Sequence, residues 1–290
     1  MDSKCPIKEM EIKFQCVMDT ENSLFEPVPA KKVKPEWYKN LPVYVDNFGV
    51  ENETIKKCPA MQDWLSMGYL IRNRHTIFVW TGYQDSGEPA SISVPLRDSI
   101  TEEQIKKLKT LDSPQKIDKY LKSQDLTINE LLGLNKGAPI GGHPAVQTQG
   151  SSWDNRMSFK FKMDFLIKTP KGTSCYYLDP FLFDNPFFRT WQGIIDTDEF
   201  NQLTTNNMLI FYPKVDESFF IKKGTPLVQI VPFVRNPWKM NIEYLSHEEI
   251  AKAWADDEDT MMDLNNRDAY DKRKVKPMYR QRWSGRKEYS

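Results

Sequence analysis

The chain is poor in histidine and cysteine and has no excess of charge of either sign: 290 residues hold three histidines, four cysteines, and forty basic residues against forty acidic ones. Each shortage excludes a class of function. His75, His143 and His247 stand in no HxH, HxD or HExxH pattern, so no local metal-ligand set is written into the chain and no metal site is expected. A metal-dependent, cupin-like oxygenase would have to be assembled across the sequence, from His143 with Asp154 or Asp196. Cys5, Cys16, Cys58 and Cys175 lie far apart without CxxC spacing, which predicts reduced thiols. Cys58 precedes a proline at a helix start, where a thiol pKa can fall, but no histidine base accompanies it, and a packed thiol is expected. GxSxG, GxxxxGK[ST] and GxGxxG are all absent. The balanced charge supplies no nucleic-acid or membrane signature. No run approaches the roughly 18 apolar residues that span a bilayer, and MDSKCPIKEMEIKF lacks the apolar centre of a signal peptide. Cytoplasmic residence is the expectation.

What the sequence does contain is aromatic and proline-rich. Hydrophobic residues make up 39%, below the usual globular share, but aromatics reach 12% and each buries a large area. A folded core with extended polar arms follows. Residues 10–18 alternate as a strand, and 25–42 carry Pro27, Pro29, Pro35 and Pro42, which forbid a regular helix. Trp37 and Tyr38 give that arm something to bury. Met61, Trp64, Leu65 and Met67 predict a short helix after Pro59 that Gly68 ends. IFVW (77–80) and SISV (91–94) read as a strand pair.

The period then changes. Over 99–137, Ile105, Leu108 and Leu111, then Ile117, Tyr120 and Leu121, recur at helical spacing; Thr101 with Gln104 forms a capping box and Ser113-Pro114 starts a second helix. From 157 the pattern is β again: Phe159, Phe161, Met163, Phe165 and Ile167 face one way and Lys160, Lys162, Asp164 and Lys168 the other, as a single half-buried strand. Short strands follow near 175–178, 207–212, 218–221 and 226–234, and a last helix near 247–257 is capped by Ser246 and Glu249. The fold class is mainly β, α+β overall: an antiparallel sandwich or barrel with a helical insertion. The organisation reads as 1–98 (arm plus strands), 99–137 (helices), 138–240 (β core) and 241–290 (helix and charged tail), arranged as one compact domain with arms.

Residues 169–229 carry three ordered blocks: TPKGT followed by Pro180, GIIDTD (193–198) and IKKGTPLVQIV (221–231). They resemble the central motifs of the dUTPase and dCTP deaminase superfamily over about 60 residues. The resemblance implies a dUTPase-like β-clip core, a homotrimer, and sites between subunits. It further implies Asp196 and Asp198 as the catalytic acidic pair, with Asp196 activating a water and magnesium on the nucleotide phosphates. Phe200 would stack on the base and Gln229 would serve the phosphate region. The sequence departs from that pattern where phosphate is handled: Phe181-Leu182-Phe183 replaces an Arg-Ser-Gly, Glu199 stands where an aromatic belongs, and no Gly-rich C-terminal loop follows. A nucleotide-acting protein would need a substitute clamp from Lys171, Arg189, Lys222 or Lys223. In a bland reading, both carboxylates satisfy backbone N–H groups in a turn. The segments 29–42 and 54–71 are also similar to a family of phage and bacterial proteins, a resemblance that implies no activity, and the Lys, Asn, Ile and Met content suits an AT-rich phage genome; the location would then be the host cytoplasm. The readings carried forward are a binding or structural module with a protein partner, no cofactor being certain; a divergent nucleotide-binding or nucleotide-hydrolysing protein using Asp196, with Mg; and the oxygenase.

Overall fold

The computed structural model describes residues 10–16, 26–83, 86–87, 89–128, 158–162, 165–199, 208–215 and 217–255. The chain divides into two compact units, one of residues 1–41, 64–235 and 289–290, the other of 42–63 and 236–288.

The first unit is built from open antiparallel sheets, and no closed barrel forms among the described residues. Elements in chain order are β1 (Lys13–Cys16), β2 (Val28–Pro29), α1 (Glu36–Asn40), β3 (Tyr44–Asn47), β4 (Val50–Glu53), α2 (Pro59–Ser66), β5 (Tyr69–Arg72), β6 (Thr76–Tyr83) and β7 (Pro89–Leu96), with β3 and β4 in the second unit. Then come α3 (Glu102–Lys109), α4 (Pro114–Ser123), β8 (Phe159–Lys162), β9 (Phe165–Lys168), β10 (Thr173–Leu178), β11 (Phe188–Thr190), β12 (Gly193–Ile195), β13 (Met208–Pro213), β14 (Phe219–Ile221) and β15 (Pro226–Val234). A five-stranded sheet has the order β12-β10-β15-β5-β2; β11-β13-β8 and β14-β6-β7 form three-stranded sheets; β1 pairs with β9.

β15 is central because Leu227 to Val231 are buried without interruption, as only a strand covered on both faces can be. Its register on β10 runs from Thr173↔Val234 to Leu178↔Gln229. Around it lies a core of Phe159, Phe188, Phe211, Phe219, Val79, Ile221 and Ile230. Phe159 stacks on Phe211 at 5.0 Å and meets Phe188 edge-on at 6.1 Å. Burying one such side chain stabilises by about 1.5–3 kcal/mol, so this cluster dominates the fold.

The two helices α3 and α4 start where the sequence predicts, and the Thr101–Gln104 capping box is formed. They are no appendage. Leu108, Ile117, Leu121 and Leu126 pack with Phe78, Trp80, Val94 and Leu96 into a second apolar cluster beneath β6 and β7. Residues 129–137 of the expected insertion lie outside the described residues.

Three expectations are corrected. The single strand expected over 157–168 is two strands, β8 paired with β13 and β9 paired with β1. Leu166 as well as Phe165 and Ile167 is buried, so β9 has two covered faces rather than one. The proline-rich arm does contain a helix: Pro35 caps the five-residue α1, which buries Tyr38 and leaves Trp37 half-exposed. The residues directly after Gly68 form β5. Gly68 itself ends α2 as expected, with φ +69°, and a Cβ there would meet the Ile230 carbonyl oxygen at 2.1 Å. Only glycine allows both the left-handed turn and that approach.

In the second unit, β3 and β4 form a hairpin in which Phe48 (φ 54°) and Gly49 (φ 79°) make the turn, and Asp46 Oδ1 accepts from the Gly49 N–H. Every residue of both strands is exposed. A helix at 247–255 is capped as predicted, with reciprocal Ser246–Glu249 hydrogen bonds.

Candidate functional site

The acidic block sits where β12 ends and meets the turn before β10 and the end of β15. β10 pairs with both neighbours, Cys175↔Ile195 on one side and Thr173↔Val234 on the other. This register brings 172–174, 196–198 and Arg235 together although they are far apart in sequence.

Arg235 holds the corner. Its backbone N–H donates to the Gly172 carbonyl at 2.8 Å. Its guanidinium forks onto Asp198, Nη1 to Oδ1 at 2.9 Å and Nη2 to Oδ2 at 2.6 Å. Nη1 also reaches Ser174 Oγ at 2.8 Å and Asp196 Oδ1 at 3.1 Å. Ser174 Oγ donates to Asp196 Oδ1 at 2.6 Å, and the Gly172 N–H donates to Asp198 Oδ2 at 2.7 Å. The two-pronged geometry is the strong form of a charge-assisted contact. The Arg235 guanidinium pulls the Asp198 carboxyl down to about 2, with the Gly172 N–H adding to the effect, and the carboxylates raise Arg235 in turn.

The two carboxylates differ. The Asp198 side chain is 1% exposed and both oxygens are used, whereas the Asp196 side chain is 57% exposed. Between them Thr197 is buried, its Oγ1 2.7 Å from Thr169 Oγ1 and donating to Cys175 Sγ at 3.3 Å. Burial pushes the Cys175 thiol up to about 11, which keeps it protonated and unreactive.

Gln229 lies elsewhere on the same sheet, fully buried in β15. Its Oε1 accepts from the Phe181 N–H at 3.1 Å, and its Nε2 donates to the carbonyls of Met67 at 2.7 Å and Trp64 at 3.2 Å. It therefore ties the end of α2 to the 180–183 turn. That turn carries Leu182 at φ 62°, its carbonyl accepting from Trp37 Nε1 at 2.9 Å, and Phe181 meets Trp64 edge-on at 5.4 Å. An aromatic corner thus occupies the place where the resemblance expects a phosphate-binding Arg-Ser-Gly.

Of the remaining candidates, Lys171 is exposed in the turn beside Gly172 and Arg189 is exposed on β11. Lys222 is exposed, and Lys223 pairs with Asp98 at 2.5 Å. Phe200, His143 and Asp154 lie outside the described residues. His75 is half-buried, which lowers its pKa, and His247 is exposed at the start of the last helix. Among the described residues no group of three or more His, Cys, Asp or Glu side chains is placed to hold a metal. The corner itself does not suit magnesium, because a guanidinium already lies between the two carboxylates and Asp198 has no oxygen to spare.

The residue that sequence reasoning missed is Arg235. The last block ends at Val231 and the arginine lies just past the strand; only the β10–β15 register brings it to the acidic turn. The available signal was chemical: two carboxylates in a corner that buries one of them require a cation. No protein-family model matches the chain, and no curated protein matches it.

Proposed function

We propose that this protein works by association with other macromolecules, and that the acidic block is a structural clasp inside a β-rich binding module. The observation that carries this reading is Arg235, which neutralises Asp198, touches Asp196 and joins both to the 172–174 turn. Asp198 is held below the usual carboxylate range by Arg235 and has both oxygens engaged, which opposes a role as proton acceptor. Gln229 is likewise consumed by internal hydrogen bonds. Large apolar side chains meanwhile stand in water: Phe48, Trp238, Tyr244 and Trp254 are all mostly exposed. Exposed aromatics in such number mark interaction surfaces.

One observation favours a second reading. Asp196 keeps a solvent-facing carboxylate, which a nucleotide-hydrolysing or nucleotide-binding protein would use with a clamp such as Lys171. A turnover assay separates the two: purified protein incubated with deoxynucleoside triphosphates and magnesium, followed for pyrophosphate, phosphate and ammonia. The clasp reading predicts no turnover above buffer. Turnover lost in Asp196→Asn overturns it.

A further inference from the structure

The segment after Arg235 has no regular secondary structure and runs to Ser246, where the last helix is capped. Its sequence is NPWKMNIEYL (236–245). Trp238, Met240, Ile242 and Tyr244 recur at every second position and are 93%, 82%, 62% and 92% exposed. A two-residue apolar period belongs to a strand with one buried face, yet this stretch belongs to no sheet. Asn241 Nδ2 donates to Glu243 Oε1 at 2.8 Å, which places both on the opposite side, as residues two apart are in extended chain.

The order of residues says what completes it. Laid antiparallel against itself with Asn241 opposite Asn241, the segment sets Lys239 opposite Glu243, Met240 opposite Ile242 and Trp238 opposite Tyr244. Each is a favourable cross-strand pair: opposite charges, two apolar chains, two aromatics. Every pair occurs twice, because a two-fold axis through Asn241 makes the contact isologous. All eight even-numbered side chains share one face of the ribbon, and Pro237, which cannot donate to a ladder, falls at its end.

We propose that residues 237–245 form an antiparallel two-stranded ribbon with the same segment of a second copy of this chain, centred on Asn241. This inference rests on reading the protein as an association module and names its partner. The contact is carried by the backbone ladder and by the opposed pairs Trp238–Tyr244 and Met240–Ile242, each of which shields part of its partner's apolar surface. Forty basic and forty acidic residues leave no net charge to hold two copies apart.

The test is sedimentation equilibrium of the full chain with paired charge reversals. Wild type is expected to be a reversible dimer in the micromolar range. Lys239→Glu and Glu243→Lys each place like charges opposite one another twice per dimer, and each should weaken association by roughly tenfold. The double variant, Lys239→Glu with Glu243→Lys, restores opposite charges and should recover wild-type association. Both positions, 239 and 243, are exposed, and matching melting curves show that folding is intact. A monomeric wild type at about 100 µM overturns the ribbon, and so does a double variant no tighter than the singles. Docking of the arm on a different protein or on its own chain gives no such recovery. If wild type associates, as a trimer or otherwise, but ignores the reversals, association by another surface stands and the ribbon falls.

Discussion

At the scale of single residues, the clasp turns on Asp198 and Arg235. The arginine holds the Asp198 carboxyl at about 2, below the ordinary carboxylate range. Its folded-state pKa is depressed, so its stabilising effect is complete above about pH 4 and is lost as pH falls through about 2. Asp198→Asn should therefore melt several degrees below wild type at pH 7, with the two curves converging as pH approaches 2. A gap that stays constant from pH 7 to pH 2 would show that the charge is not what the clasp uses. Asp196 and Asp198 were singled out by the GIIDTD block; the bland reading gave both of them backbone N–H partners within that turn, whereas Asp198 accepts from Gly172 in a different turn and Asp196 from Ser174 Oγ. The guanidinium was not legible, because its proximity depends on a strand register 37 residues beyond the block and not on local spacing.

At the scale of elements, local periodicity told most where one face is apolar and one polar. α3 and α4 follow that rule and lie where their patterns put them, whereas β6, buried without interruption over 77–81, was found from its short apolar run and not from alternation. Periodicity failed where an element is covered on both faces or on neither. β9 buries consecutive residues, so the alternation read across 157–168 hid a break between sheets. β3 and β4 bury neither face, and their hairpin rests on turn chemistry at Phe48-Gly49. The helical pair offers a direct check on whether it belongs to the core. Leu108 is fully buried against the β6–β7 face. Leu108→Ala should cost about 2–5 kcal/mol in denaturant unfolding, with a single cooperative transition. A loss below about 1 kcal/mol would mark α3–α4 as a detachable lid.

At the scale of the whole molecule, the mainly β, antiparallel character was legible from composition and strand spacing, and the open sheets fit a sandwich-like α+β class. Division of the chain into two units was not legible, since the second unit joins residues 42–63 to 236–288 across nearly the full length of the sequence. The functional reading also belongs at this scale. The first unit spends its acidic block and Gln229 on its own architecture, and the second leaves Phe48, Trp238, Tyr244 and Trp254 in water. On the function proposed above, such a molecule binds through apolar surface and does not process a phosphate. The most direct measurement is titration calorimetry of deoxyuridine triphosphate with magnesium into the full chain, repeated with Asp196→Asn. The account predicts no saturable heat for either protein at millimolar nucleotide. Saturable binding by the wild type that Asp196→Asn abolishes would contradict it.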